Sequence, residues 1–226
     1  MEECISRGEV YVDGKLAKLG QRVTGREEIS LNGELVKIEI EPKARVLLYH
    51  KPTGVIVARK DPLGRPNVFT NLPLLKSSKW LSVGRLDFNT SGLLLFTNSG
   101  DIANRLMHPR FNIEREYWVK TRTALNGDQK RRLKHMVILS DGEGIFKSLQ
   151  DLKKESRLNW YDVIVTEGRN RFIRRMIQAV GTSVVRLKRV RFGHICLPDS
   201  LGRGDSFELP PKDVAKLIKR CCQENL

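Results

Sequence analysis

The sequence predicts an α+β fold in which a small β-rich module precedes a larger domain. Three observations carry this. Short apolar or β-branched segments bounded by turn residues recur along the chain, the clearest being Leu93-Leu94-Leu95-Phe96 between Gly92 and Asn98-Ser99-Gly100; a run this short, closed at both ends, reads as a buried strand. Helical periodicity is confined to short stretches between such segments, as at Ile173, Met176, Ile177 and Val180, which share one face of a helix. The chain has 226 residues, 40% of them hydrophobic, enough for one sizeable core and a small satellite.

The elements follow in order. Val10-Tyr11-Val12 forms a strand, Asp13-Gly14 a tight turn, and Ile29 to Ile40 a hairpin closed by Asn32-Gly33, with Val36, Ile38 and Ile40 alternating with charged residues. Glu41-Pro42-Lys43 is a linker. Arg45 to Tyr49 starts a strand, and His50-Lys51-Pro52-Thr53-Gly54 turns the chain into Val55 to Ala58, with the flanking apolar residues entering the sheet. Asp61 to Arg65 is a polar loop whose basic end could reach a partner or remain solvated. Ser99 or Asp101 caps a helix over Ile102 to Leu106 that stops before Pro109. Glu114 to Thr121 is a strand, Asn126 to His135 a short helix, Asp141-Gly142 a turn between strands, and Asn159 to Thr166 another strand. Asn170 can cap the next helix, which Gly181 ends, and Val184 to Phe192 alternates apolar and basic residues as a strand with one cationic face. Pro210-Pro211 opens a last helix from Lys212 to Arg220, with Val214, Leu217 and Ile218 inward.

Charge narrows the function. Forty-one Lys and Arg against 26 Asp and Glu leave a net charge of +15, so the expected partner is a polyanion, with an acidic protein or a membrane surface also compatible. From Gly168 to Arg191 no acid accompanies Arg169, Arg171, Arg174, Arg175, Arg186, Lys188, Arg189 and Arg191. An ordinary solvated surface mixes signs; this one attracts phosphates. No run approaches the ~20 apolar residues of a membrane span and no signal peptide is evident, so the cytoplasm is the expected location. Cys4, Cys196, Cys221 and Cys222 lack metal-ligand spacing and His50, His108, His135 and His194 are scattered, which suggests no metal and no disulfide framework. No nucleotide-binding glycine pattern is present, so no cofactor is expected. Arg203-Gly204-Asp205 reads as a turn.

Two residues invite a chemical reading. Asp87 stands in a loop beside Arg85, just ahead of the buried run, where a catalytic carboxylate would be held rigidly; the plain alternative is an Asp that orders its own turn. Tyr117 lies in the 114–121 strand, either packing in the core or offering an aromatic face.

The stretch GRLDFNTSGLLLFTN, Gly84 to Asn98, resembles the catalytic signature of the pseudouridine synthases, in the branch that acts on ribosomal RNA. The KPTG step at residues 51–54, EREYWV at 114–119 and the EGRNRFIRRM segment at 167–176 resemble further motifs of that family in its order. KPTG followed by DPLGRPNVF, and ANRLMHP followed by EREY, favour the bacterial large-subunit type. RGEVYVDGKLAKLGQRVTGREEISLNG resembles the second half of an S4 RNA-binding domain, whose two opening helices are reduced here to Glu2 to Arg7.

The resemblance implies a catalytic α+β domain over residues 42–226, on a mixed, mainly antiparallel sheet, preceded by a truncated S4-like module over 1–41. It implies isomerisation of a uridine to pseudouridine in ribosomal RNA, specifically uridine 2605 of the 23S molecule, by a monomer without metal or cofactor. Asp87 would act at the ribose, as nucleophile or as base toward the 2′ proton. Arg174 would pair with it in a bidentate geometry, Tyr117 would stack on the extracted base, and Arg85 would insert where the base had been. Leu187 would pack beside the site, and Arg169, Arg171, Arg175 and Arg189 would hold RNA. The alternatives are a non-catalytic RNA-binding or ribosome-assembly factor with the same fold, in which the cations matter and Asp87 does not, or a synthase for another site.

Overall fold

The computed structural model describes residues 2–24, 27–36, 44–76, 78–152 and 158–223, and side chains through 219. The chain divides into two compact units, Met1–Lys43 and Ala44–Leu226.

In the first unit a one-and-a-half-turn helix, α1 (Glu2–Ser6), precedes four short strands, β1 (Val10–Val12), β2 (Lys15–Leu16), β3 (Ile29–Leu31) and β4 (Glu34–Val36), in the antiparallel order β2-β1-β3-β4. Both tight turns form as their sequences dictate: Asp13-Gly14 and Asn32-Gly33 take positive φ at both central residues, the hairpin geometry that Asn, Asp and Gly tolerate best. Val10, Val12 and Ala17 make the small core. The expected continuation of the hairpin through Ile38 and Ile40, and the 41–43 linker, fall outside the described residues.

The second unit is organised by nine strands: β5 (Val46–Lys51), β6 (Leu81–Val83), β7 (Ser91–Thr97), β8 (Arg115–Thr121), β11 (Ser148–Asp151), β12 (Trp160–Val165), β13 (Val184–Phe192), β14 (Ile195–Cys196) and β15 (Ser206–Glu208). The main path runs β11-β12-β8-β13-β7-β5-β15, with β14 beside β13 and β6 beside β7. Within it β13·β7 is parallel and the other pairs are antiparallel, which makes the sheet mixed and mainly antiparallel. A separate hairpin, β9 (Val137–Leu139) and β10 (Gly142–Gly144), turns at Asp141.

The apolar run at the centre of β7 is buried on both faces. Leu94 and Phe96 join one core with α4 (Phe172–Ala179) and the 125–165 region, whereas Leu93 and Leu95 join another with α2 (Gly100–Met107) and α5 (Pro211–Gln223). Helix α2 starts where Ser99 accepts a hydrogen bond from the Ile102 amide, and α3 (Gly127–His135) starts with a reciprocal Asn126–Gln129 capping box. Val214 and Leu217 are the buried stripe of α5, with Ile218 partly covered.

The structure departs from the sequence reading in three places. Val55 to Ala58 does not enter the sheet: Ile56 forms an isolated bridge with Asn67, and Val55 and Val57 only pack against the core. Asn170 does not cap α4; the cap position is Arg171, in the left-handed region at φ 50°, without a side-chain cap. In β13 the register slips between Val184 and Arg186 and again between Arg189 and Arg191, so strict alternation fails. Between the slips the register is regular, so Arg189, two residues beyond Leu187, is buried on the same side, and the strand has no single cationic face.

Candidate active site

Gly92 lets the site form. Its φ is +110°, and an added Cβ would stand 2.1 Å from the Arg189 carbonyl oxygen and 2.6 Å from its amide nitrogen. Only glycine permits this approach, which seats the start of β7 against β13 in the parallel pairing of Gly92 with Arg189. The loop that precedes Gly92 carries Asp87.

That loop is fastened from three sides. Its own turn closes through the Thr90 amide to the Asp87 carbonyl (3.0 Å), and the Gly54 amide donates to the Phe88 carbonyl (2.9 Å). Lys51, at the end of β5 and 0% exposed, donates Nζ to the carbonyls of Pro52 (2.9 Å), Asp87 (3.2 Å) and Thr90 (2.9 Å). Burial pushes the Lys51 ammonium down to about 8, with the Asp87 carboxylate opposing that shift. From the other side Arg174, on α4, donates Nη2 to the Asn89 carbonyl (2.9 Å) and Nη1 to the Val184 carbonyl (3.3 Å). Its Nε stands 3.9 Å from Asp87 Oδ2. The expected bidentate fork is therefore not what forms: both Nη groups hold backbone, and the nearest approach to the carboxylate is this Nε contact, which is not a hydrogen bond. Burial lowers the Arg174 pKa, Arg171 lowers it further, and Asp87 counteracts both.

Asp87, Arg174 and Tyr117 line one cleft of about 490 Å³ together with Arg85 and Leu187. Arg169, Arg171 and Arg189 line it as well; Arg175 does not. Tyr117 is 9% exposed and lies opposite Arg189 in the β8·β13 ladder. Three motifs remote in sequence thus meet in one depression.

The cation run is not acid-free in space. Arg169 pairs with Glu167 and with Asp141 (3.0 Å), and donates further to the carbonyls of Asp141, Gly142 and Glu143. Arg175 makes the bidentate pair, with Asp141, at 2.7 Å through each Nη. Arg191 binds Glu116 (2.5 Å) and Glu114 (3.1 Å). The basic end of the 61–65 loop is likewise held, since Arg65 bonds Asp61 through its side chain and amide, and Arg65 holds the Asp61 carboxyl down at about 2. Arg85 and Arg171 remain exposed at the cleft rim.

Sequence reasoning missed two residues of the cleft region. Lys51 was visible as a cation ending the apolar strand 46–51, a place where burial forces a partner. Arg115 shares strand parity with Tyr117 and Val119, so alternation alone points it inward; it is buried and lines the cleft. Among the described residues no His/Cys/Asp/Glu cluster suited to a metal ion occurs, and no helix is long and apolar enough to cross a membrane. The 203–205 tripeptide is a turn, with the Gly204 amide bonded to the His50 carbonyl.

Asp87 on the loop before the parallel seam, Tyr117 on β8 and Arg174 on α4 thus share one cleft of a mixed sheet. The sequence pattern of the RNA pseudouridylate synthases matches residues 45–179, and the chain belongs to that family. It is 49% identical over 216 residues to the ribosomal large subunit pseudouridine synthase B of Yersinia pestis, covering 94% of this chain and 68% of that one. The protein of the same description from Escherichia coli K12 is 48% identical over 213 residues, covering 92% and 73%. Among solved structures, a crystal structure of a pseudouridylate synthase superposes with a TM-score of 0.69 at 24% identity, covering 96% of this chain and 91% of that one, which shows the fold.

Proposed function

We propose that the protein converts uridine to pseudouridine in large-subunit ribosomal RNA, acting in the cytoplasm as a monomer that needs neither metal nor cofactor. The observation that carries this is the convergence of Asp87, Tyr117 and Arg174 in one cleft, in a chain nearly half identical to synthases described as acting on that subunit. The reaction detaches the base through N1 and reattaches it through C5, with no atom gained and no redox change. Asp87 serves at the ribose, either bonding C1′ or removing the 2′ proton. Arg174 keeps the carboxylate in place through Nε while anchoring its loop. Tyr117 stacks on the extracted base. Arg85, exposed at the rim, fills the space the base leaves in the RNA, and Arg171 meets phosphates. The 1–41 unit acts as an S4-like RNA-binding module. By resemblance the target is uridine 2605.

The test maps pseudouridine in ribosomal RNA by carbodiimide labelling and primer extension. Cells lacking the gene are compared with the same cells carrying the wild type or Asp87→Asn. Loss of one large-subunit site, restored by the wild type alone, is the expected result. Restoration by Asp87→Asn would remove Asp87 from the chemistry, and an unchanged map would favour a binding factor.

A further inference from the structure

Two arginines on the floor of the cleft have no task in that scheme. Arg115 and Arg189 are 8% and 3% exposed and both line the cavity. Their guanidinium carbons stand 5.0 and 5.1 Å from the centroid of the same Phe192 ring. Arg115 gives Nη1 to the carbonyls of Ile113 (3.2 Å) and Thr166 (2.6 Å). Arg189 gives Nε to the Leu93 carbonyl (2.7 Å), but its buried Nη2 has no hydrogen-bond partner among the described residues. The acids on the same strands and in the adjoining loop are engaged elsewhere: Glu114 and Glu116 by Arg191, Glu167 by Arg169. Two buried guanidiniums against one ring, without a carboxylate, oppose folding unless an anion joins them.

We infer that this pair receives the negative charge that the target base acquires on detachment, with Arg189 Nη2 as the contacting donor and therefore a further catalytic residue. The inference rests on the isomerisation proposed above. An extracted nucleotide enters base first, so the base reaches the buried floor, while the RNA backbone stays near the exposed rim cations Arg85 and Arg171. Arg189 lies opposite Tyr117 in the ladder and shares the buried side of β13 with Leu187. A base held against Tyr117 is thus carried over Arg189.

Uracil bound to ribose is neutral. When the C1′–N1 bond breaks, both electrons leave with the base, and the charge spreads over N1 and the two carbonyl oxygens. The electron deficiency at C1′ is relieved by a bond from Asp87 or by transfer of the 2′ proton to Asp87. Attack of C5 on C1′ consumes the charge and returns Asp87 to its starting state, with the 2′ proton returned to C2′ if it had been taken. The C5 proton then leaves and N1 is protonated. A fixed guanidinium binds the anion more strongly than the neutral base, and such differential binding lowers the barrier to detachment.

The test uses the full-length protein in single turnover with excess enzyme over ribosomal RNA fragments. Arg189→Gln removes the charge and Arg189→Lys retains it; thermal unfolding and RNA filter binding check both. Arg189→Gln is expected to slow turnover by about 100-fold with RNA affinity within about threefold of wild type, and Arg189→Lys to recover part of the rate. With 5-fluorouridine at the target, whose fluorine stabilises the departing base itself, the Arg189→Gln deficit in rearrangement should shrink by about tenfold. Equal deficits on both substrates would mean a structural role, and weakened RNA binding at unchanged turnover would mean a phosphate contact; either overturns the inference. If Arg189→Gln does not fold, Arg189→Lys against the same two substrates decides by the same criterion. Absence of turnover by wild type on any ribosomal RNA would instead sink the isomerase reading itself.

Discussion

Lys51→Met tests whether the catalytic loop depends on one buried ammonium. The wild-type Nζ bonds three carbonyls, two of them in the 87–90 turn. Charge-assisted bonds contribute about 1.5–3 kcal/mol each, so their loss together with the orphaned carbonyls amounts to about 5–9 kcal/mol. Against this stands the cost of burying the charge. The ammonium sits at about 8 instead of 10.5, which corresponds to about 3 kcal/mol that methionine recovers. The net expectation is a destabilisation of about 2–6 kcal/mol, visible in urea unfolding. Catalysis should suffer more: a displacement of the Asp87 loop by about 1 Å costs on the order of 100-fold in turnover, measured by tritium release from 5-tritiated ribosomal RNA under conditions where the variant is folded. RNA affinity should hold, because Lys51 is sealed from solvent. The pH dependence adds a second reading. A lysine depressed in the folded state is protonated more readily in the unfolded chain between pH 8 and 10.5, so stability rises across that window. Wild-type activity should nevertheless fall above about pH 8, as the neutral amine loosens the loop. Wild-type turnover by Lys51→Met, or an alkaline limb unchanged by it, would refute this reasoning.

Other perturbations probe the remaining geometry. Gly92→Ala forces a Cβ to 2.1 Å from the Arg189 carbonyl oxygen, so it should cost more than about 3 kcal/mol or yield insoluble protein, and a soluble variant with wild-type melting would contradict the close seam. Arg175→Ala breaks the pair with Asp141 outside the cleft and should leave RNA affinity within about twofold, whereas Arg171→Ala should weaken it and reduce the salt slope by about 1, both read by filter binding across a salt series. Asp162 is raised to about 6 by burial and by neighbouring Glu116, with Arg191 opposing. Its folded form holds a proton that the unfolded chain releases near 3.8, so stability declines from pH 4 to pH 6; Asp162→Asn should flatten that decline and add about 1 kcal/mol at pH 7, after allowance for solvent screening. A calorimetric pH series unaffected by the substitution would disprove it.

Much of the architecture could be read locally. Positive φ at Asp13-Gly14 and Asn32-Gly33, the Ser99 cap, the β7 run and the extent of β13 all follow from turn chemistry, capping and periodicity, which act within a few residues. Strands such as β6, β11 and β15 were not legible: three or four residues long, they carry no alternation and exist because a neighbouring strand offers a free edge. Val55 to Ala58 has strand composition, but it is left with one bridge because β5 already pairs with β7 and β15.

The same division runs through the site. Asp87, Tyr117 and Arg174 were marked by their own motifs, and the family pattern made them candidates before any contact was known. By itself the sequence determined which groups could do chemistry, because identity and local spacing are properties of the chain. Only the tertiary structure decided which cations are spent. Arg175 and Arg169 meet Asp141 across 34 and 28 residues, and Arg191 meets Glu116 across 75. Closure of the sheet buried the Leu187 side of β13, and with it Arg189, against the Phe192 ring that Arg115 also meets. Pairing and burial are set by distance in space, and charges far apart along the chain become neighbours only when the sheet has closed.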